Sequence, residues 1–139
     1  MDKRKKSCIL IIIIALVLSG FILIYRATNT ASADTESGWK MIFYKSSDSW
    51  YGLLVCDKTS SGAVGTIEAE VTIDGKSMDY SAISPRKDSL GLFRRYLIGA
   101  DKKVIYPIMD HGDKPKSATA YIKWNGNDTD GIATIEFKE

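Results

Sequence analysis

Hydrophobic positions fall into two regimes along this chain. From Ser7 to Tyr25 they form one nearly unbroken block, CILIIIIALVLSGFILIY, with no formal charge. Beyond residue 38 they come in short runs separated by Gly, Asp, Asn, Ser and Pro. The block predicts a helix, because a segment of this length rises about 28 Å, close to the ~30 Å hydrocarbon core of a bilayer. Isoleucine favours strands in water, but in lipid every backbone N–H and C=O must be satisfied within the segment, which selects helix. Residues 26–38 form the connection. From Ala27 to Gly38, ATNTASADTESG is small, polar and without apolar periodicity, which predicts a flexible spacer.

The short runs predict strands. WKMIFYK (39–45) and WYGLLVC (50–56) flank the polar stretch Ser46-Ser47-Asp48-Ser49, the arrangement of a hairpin with a four-residue loop. In VGTIEAEVTI (64–73), Ile67, Ala69, Val71 and Ile73 share one face, and Glu68, Glu70 and Thr72 the other. Asp74-Gly75 suits a two-residue turn whose central positions both need positive φ. The return strand 76–83 should then turn Met78, Tyr80 and Ala82 inward. LGLFRRYLIG (90–99) and KVIYPIM (103–109) read as two further strands, the second at an edge or bulged because Pro107 has no donor. SATAYIKW (117–124) and GIATIEF (131–137) close the chain around NGNDTD. Eight strands without a convincing amphipathic helix predict an all-β domain over 39–139, an antiparallel β-sandwich or small barrel. Periodicity does not choose between the two.

Charge sharpens the first regime. The 139 residues carry 19 Lys and Arg against 17 Asp and Glu, net +2. Lys3, Arg4, Lys5, Lys6 and Arg26 stand against Asp2 alone in the first 33 residues, leaving 14 basic and 16 acidic residues beyond, net −2. Residues 1–6 therefore read as a basic cytoplasmic segment, 7–25 as a transmembrane or signal helix, and the remainder as exported. Nucleic acid is not an expected partner: the net charge of the exported part is negative and no binding module is recognisable. Two fates stay open for the helix. Ala31-Ser32-Ala33 has the small residues of a signal-peptidase site, which would release a secreted protein beginning at Asp34. The run is long for a signal segment, which equally suits an uncleaved single-pass anchor in the cell membrane.

Candidate chemistry is sparse. Cys8 begins the apolar run and Cys56 lies in a strand-like one, so no disulfide joins the exported part, and Cys56 reads as a small buried hydrophobe. His111, between Asp110 and Asp113, could contribute to a metal site or move a proton, but these three supply fewer than the four ligands of a structural zinc site. A solvated turn before Lys114-Pro115 accounts for them more simply. The 125–131 loop fails as an EF-hand, since Gly126 and Phe137 would fall at its first and last ligand positions, and it reads as a hairpin loop before an irregular calcium site. Arg86, Lys87, Arg94, Arg95, Lys102 and Lys103 form the densest basic region. Arg94 and Arg95 would point to opposite faces of a strand, so solvated faces explain them better than one anion patch. The aromatic set reads mainly as core, with Trp50 and Tyr51 beside a turn as candidates for ligand contact together with Arg94 and Arg95. No glycine-rich phosphate loop, HExxH pair or GxSxG elbow occurs, and no cofactor is expected.

Trp50-Tyr51-Gly52, RYLIG followed by KVIYPI, and YIKWNG followed by ATIEF resemble small exported domains of unknown function from Gram-positive bacteria, often membrane-attached or lipidated. The resemblance spans most of residues 39–138 and rests on aromatic and turn positions. It implies an extracytoplasmic β-sandwich without assigned activity, and it supplies no ligand residues. Its members often carry a lipid-attachment cysteine that this chain lacks. The leading expectation is a non-enzymatic exported domain binding a protein or a cell-wall or other envelope component. A small metal-assisted or hydrolytic enzyme using the His111 loop is one alternative, and an inhibitor or immunity-type protein pairing through an exposed edge is another.

Overall fold

The computed structural model describes residues 2–35, 38–56, 65–85, 90–100, 104–125 and 130–139. One apolar helix, α1 (Lys3–Asn29), precedes eight strands and a second, short helix among these residues. The strands are β1 (Thr30–Asp34), β2 (Trp39–Ser46), β3 (Ser49–Cys56), β4 (Ile67–Ile73), β5 (Lys76–Ile83), β6 (Val104–Met109), β7 (Ser117–Asn125) and β8 (Asp130–Lys138). Helix α2 (Leu92–Ile98) lies between β5 and β6. Two four-stranded antiparallel sheets, ordered β1-β2-β3-β6 and β5-β4-β7-β8, face each other. The domain is therefore a sandwich and not a barrel.

The inner core is made where the sheets meet. Trp39, Met41, Phe43, Leu54 and Tyr106 from the first sheet pack on Ile67, Val71, Ile122, Trp124 and Ile135 from the second. Ring pairs cross the gap, Trp39 to Trp124 at 5.4 Å and Phe43 to Phe137 at 5.6 Å between centroids. Trp124 lies over Gly131, its cross-strand neighbour, where a Cβ would fall 2.1 Å from the indole. Two tyrosine hydroxyls tie the sheets: Tyr106 donates to the Gly65 carbonyl at 2.7 Å, and Tyr80 donates to the Ile108 carbonyl.

The first sheet is buried on its other face as well. Ile42, Tyr44, Leu53, Val55 and Ile105 pack outward against Leu90, Ile98 and Ala100, which belong to α2 and its flanks. This is why β2 and β3 read as continuous apolar runs, whereas β4 alternates between buried Ile67, Ala69 and Val71 and exposed Glu68 and Glu70.

Several expectations are corrected. The segment 90–99 is not a strand: α2 ends in a Schellman motif, with Gly99 at φ 77°, Gly99 N–H donating to the Tyr96 carbonyl and Ala100 N–H to the Arg95 carbonyl. Burial of Leu97 beside Ile98 follows a helical stripe, which a two-residue period cannot produce. The spacer is also not a spacer. Helix α1 runs on to Asn29 and Thr30 is already in β1, which pairs with β2 from Thr30↔Tyr44 to Asp34↔Lys40. Ala31 and Ala33 turn toward the core and Asp34 meets Lys40 Nζ at 3.5 Å, so the small residues serve an edge strand.

The β2–β3 turn is tighter than a four-residue loop, with Ser46 pairing Ser49 around Ser47 at φ 57°. Asp74 (φ 48°) and Gly75 (φ 82°) form the expected two-residue turn. In β5, a bulge between the Ile67↔Ile83 and Ala69↔Tyr80 pairs leaves Ala82 at φ 62° and exposed, so Ile83 joins Tyr80 against the core instead. Met78 is exposed on this edge strand. Pro107 sits as its missing donor requires: β6 is an edge, and a bulge separates the Gly52↔Met109 and Leu53↔Pro107 pairs.

Candidate functional site

Adjacent strand residues point to opposite faces, and this divides the expected contact set. Trp50 turns inward and is buried, with its backbone N–H donating to the Gly112 carbonyl at 2.9 Å and Lys114 Nζ 5.8 Å from its ring centre. Tyr51 turns outward and stacks on its cross-strand partner Tyr44 at 5.5 Å and 22°. Arg94, on α2, reaches back across the sheet end, where Nη1 donates to the Ser46 hydroxyl at 2.9 Å. Arg95 turns to its own helix end, with Nε donating to the Ala100 carbonyl at 3.4 Å.

Tyr51 and Arg94 thus share a groove between α2 and the outer face of the first sheet, while Trp50 and Arg95 do not line it. The groove encloses about 390 Å³, and Pro107, Met109 and Asp110 also line it. It offers an aromatic wall, a fixed guanidinium and a carboxylate, a set suited to stacking and to charged or amide groups. By sequence Asp110 is a candidate metal ligand beside His111, or part of a solvated turn. Here it lines the groove together with Tyr51 and Arg94.

His111 and Asp113 open onto a different concavity of about 730 Å³, with Asp74, Met78 and Met109, between the β4–β5 turn and the loop after β6. Asp74 is already engaged: its Oδ1 accepts from the backbone N–H of Lys116 at 2.8 Å and of Ser117 at 2.9 Å. Among the described residues, no group of three His, Cys, Asp or Glu side chains is arranged to hold a metal ion. Asp110, His111 and Asp113 therefore do not converge as a ligand set: Asp110 lines the first groove, whereas His111 and Asp113 line the second. Cys56 is buried, as its apolar run implies.

Of the basic cluster, Arg86, Lys87, Lys102 and Lys103 lie outside the described residues, as does the 126–129 part of the candidate calcium loop. Two phenols near these sites have raised pKa values. Burial, with a smaller effect from the Asp110 carboxylate, raises Tyr80. Burial, and then the neighbouring Cys56, pushes Tyr106 well above the ordinary tyrosine range.

The sequence pattern missed Tyr44, Ser46 and Asp110 as members of one groove. Tyr44 and Ser46 share a modest signal, outward positions of a strand whose apolar run is too continuous for a one-sided sheet, whereas Asp110 follows the end of β6 and carries no such signal. Compared with family models, curated proteins and solved structures, the chain matches none. The class defined by fold and site is thus a two-sheet β-sandwich behind one long apolar helix.

Proposed function

We propose that this chain is a non-enzymatic binding domain held at the outer face of a cell membrane by an uncleaved α1, and that the groove of Tyr51, Arg94 and Asp110 receives a protein segment or envelope component. The observation that carries the reading is the groove itself, which brings stacking, cationic and anionic groups from three separate elements to one opening beside the end of α1. Lys3, Arg4, Lys5 and Lys6, in the first turns of α1 ahead of its apolar run, support export of the domain. The resemblance to small exported domains of Gram-positive bacteria points the same way.

Retention of the anchor is favoured by β1. Cleavage after Ala33 would remove four of the five residues of that strand and the two alanines that cover the core edge. The exported product should therefore retain its full-length mass, and a product beginning at Asp34 would refute the anchored form. The groove is tested by a photo-crosslinking side chain at position 51 in full-length protein in its native envelope. Adducts should form there, fall several-fold with Arg94→Ala and be absent from a probe at Thr134 on the far sheet. Equal labelling from positions 51 and 134 would count against the groove.

The immunity-type alternative would use an exposed edge. Edge strand β5 carries Lys76, Asp79 and the Ala82 bulge, devices that discourage pairing with another strand.

A further inference from the structure

Helix α2 buries Leu97 and Ile98 against the sandwich and turns three large apolar residues away from it. Leu92 is 81% exposed, Phe93 70% and Tyr96 50%. At 100° per residue they occupy one arc of the helix, so they form a single ridge. Scattered exposed apolar residues need no explanation, but a contiguous ridge does.

Its position supplies one. Arg26, the residue after the charge-free run, donates from Nε to the Leu97 carbonyl at 2.8 Å and from Nη2 to the Tyr96 carbonyl, and its guanidinium lies 5.5 Å from the centre of the Tyr96 ring. A cation is thus placed on the carbonyl end of α2, where the last turn leaves acceptors unpaired and the helix dipole is negative. The same contacts fix α2 at the level where the apolar part of α1 ends. No flexible stretch intervenes, since Thr30 caps α1 through its N–H to the Arg26 carbonyl and begins β1 at once.

We propose that α2 is a second membrane contact: Leu92, Phe93 and Tyr96 enter the interfacial zone of the leaflet from which α1 emerges, so that the sandwich lies against the membrane in one orientation. The occupant is lipid because the ridge continues the apolar surface of α1. A tyrosine at the headgroup level and a short helix lying in the interface plane suit that boundary. This rests on the reading of α1 as a retained span.

The test uses full-length protein with Cys8→Ser and Phe93→Cys, labelled with an environment-sensitive fluorophore and reconstituted into phosphatidylcholine vesicles. Cys56 is buried and stays unlabelled in the folded protein. Thr134→Cys, on the outward face of β8, is the comparison site. The label at 93 should emit at shorter wavelength than that at 134, be quenched by lipid-borne nitroxide, and lose quenching by aqueous iodide several-fold. In a second variant, L92E/F93E with the label at Tyr96→Cys, iodide access should return while the protein still floats with vesicles. Both glutamates replace exposed side chains, so the fold is retained. Floating protein whose label at 93 is as open to iodide as that at 134 overturns the proposal and leaves the anchor standing. Protein that fails to float overturns both. Shielding from iodide without nitroxide quenching assigns the ridge to a second protein copy, and equally overturns it.

Discussion

The two sheets are built from similar strand lengths but differ in what lies behind them. The outer face of β4, β7 and β8 meets solvent and carries Glu68, Glu70, Thr119, Lys123, Thr134 and Glu136, all exposed. The outer face of β2, β3 and β6 is a second core, closed by α2, with Ile42 and Val55 fully buried. One sheet is an ordinary sandwich half; the other is the middle layer of a three-layer stack whose last layer touches the end of α1. The difference locates the proposed binding groove. Among the described residues, only the two-sided sheet has an element distant in sequence against its outer surface, and the Tyr51–Arg94 groove forms beside that covering layer.

The contrast is broken most directly at outward positions. Ile42→Ala should destabilise the full-length protein in detergent micelles by about 2–5 kcal/mol, as truncation of a buried aliphatic side chain does. Thr134→Ala at an outward position of the other sheet should stay within about 0.5 kcal/mol. Equal losses in thermal unfolding would show that α2 does not cover the first sheet.

Gly131→Ala tests the inner face of the one-sided sheet. A methyl 2.1 Å from the Trp124 ring forces the indole to move, and overpacking of this kind costs about 1–3 kcal/mol. The near-ultraviolet circular dichroism of the tryptophans should change with it.

Tyr106→Phe removes one tie between the sheets and should cost about 1 kcal/mol. The same phenol gives a pH dependence. Because its pKa is raised in the folded state, the folded protein keeps a proton that the unfolded chain loses. The corresponding stability is complete below pH 10 and declines as the pH rises beyond it. Unfolding midpoints followed upward from pH 9 should fall less steeply for Tyr106→Phe than for the parent.

The smallest effect belongs to the periphery. Lys114 pairs with Glu139 at 2.7 Å, but both side chains are about half exposed, so Lys114→Ala should change stability by less than about 1 kcal/mol. A larger loss would show that its cation–π contact with Trp50 contributes to closing that end of the core.

Local pattern carried much of the one-sided sheet. Alternation in 67–73 identified its buried face, and Asp74-Gly75 identified its turn, because both are properties of a strand's two-residue period and of φ. The same logic failed at β5, where a bulge at Ala82 reverses the facing of Ile83; nothing in KSMDYSAI announces the extra residue. For the two-sided sheet, continuous apolar runs at 39–45 and 50–56 indicated strands but concealed that both faces are buried. The groove was legible only in fragments. Tyr51 and Arg94 stood out as residue types, yet Trp50 and Arg95 stood out equally, and their separation depends on strand facing and on α2.

By itself, the sequence determined the apolar helix, the antiparallel all-β class, the buried Cys56 and the two-residue turn at 74–75, while the choice of a sandwich over a barrel came from the two separate sheets. Each follows from composition or from a period set within a few residues of chain. Tertiary structure decided the rest: Thr30–Asp34 is a strand because β2 offers an unpaired edge and small side chains fit beside it. Residues 92–98 are helical because their buried stripe and the Gly99 cap suit a surface layer over the first sheet. Both outcomes depend on contacts outside the segment itself, with the edge of β2 for Thr30–Asp34 and with the outer face of the first sheet for 92–98, which the residues of the segment alone do not encode.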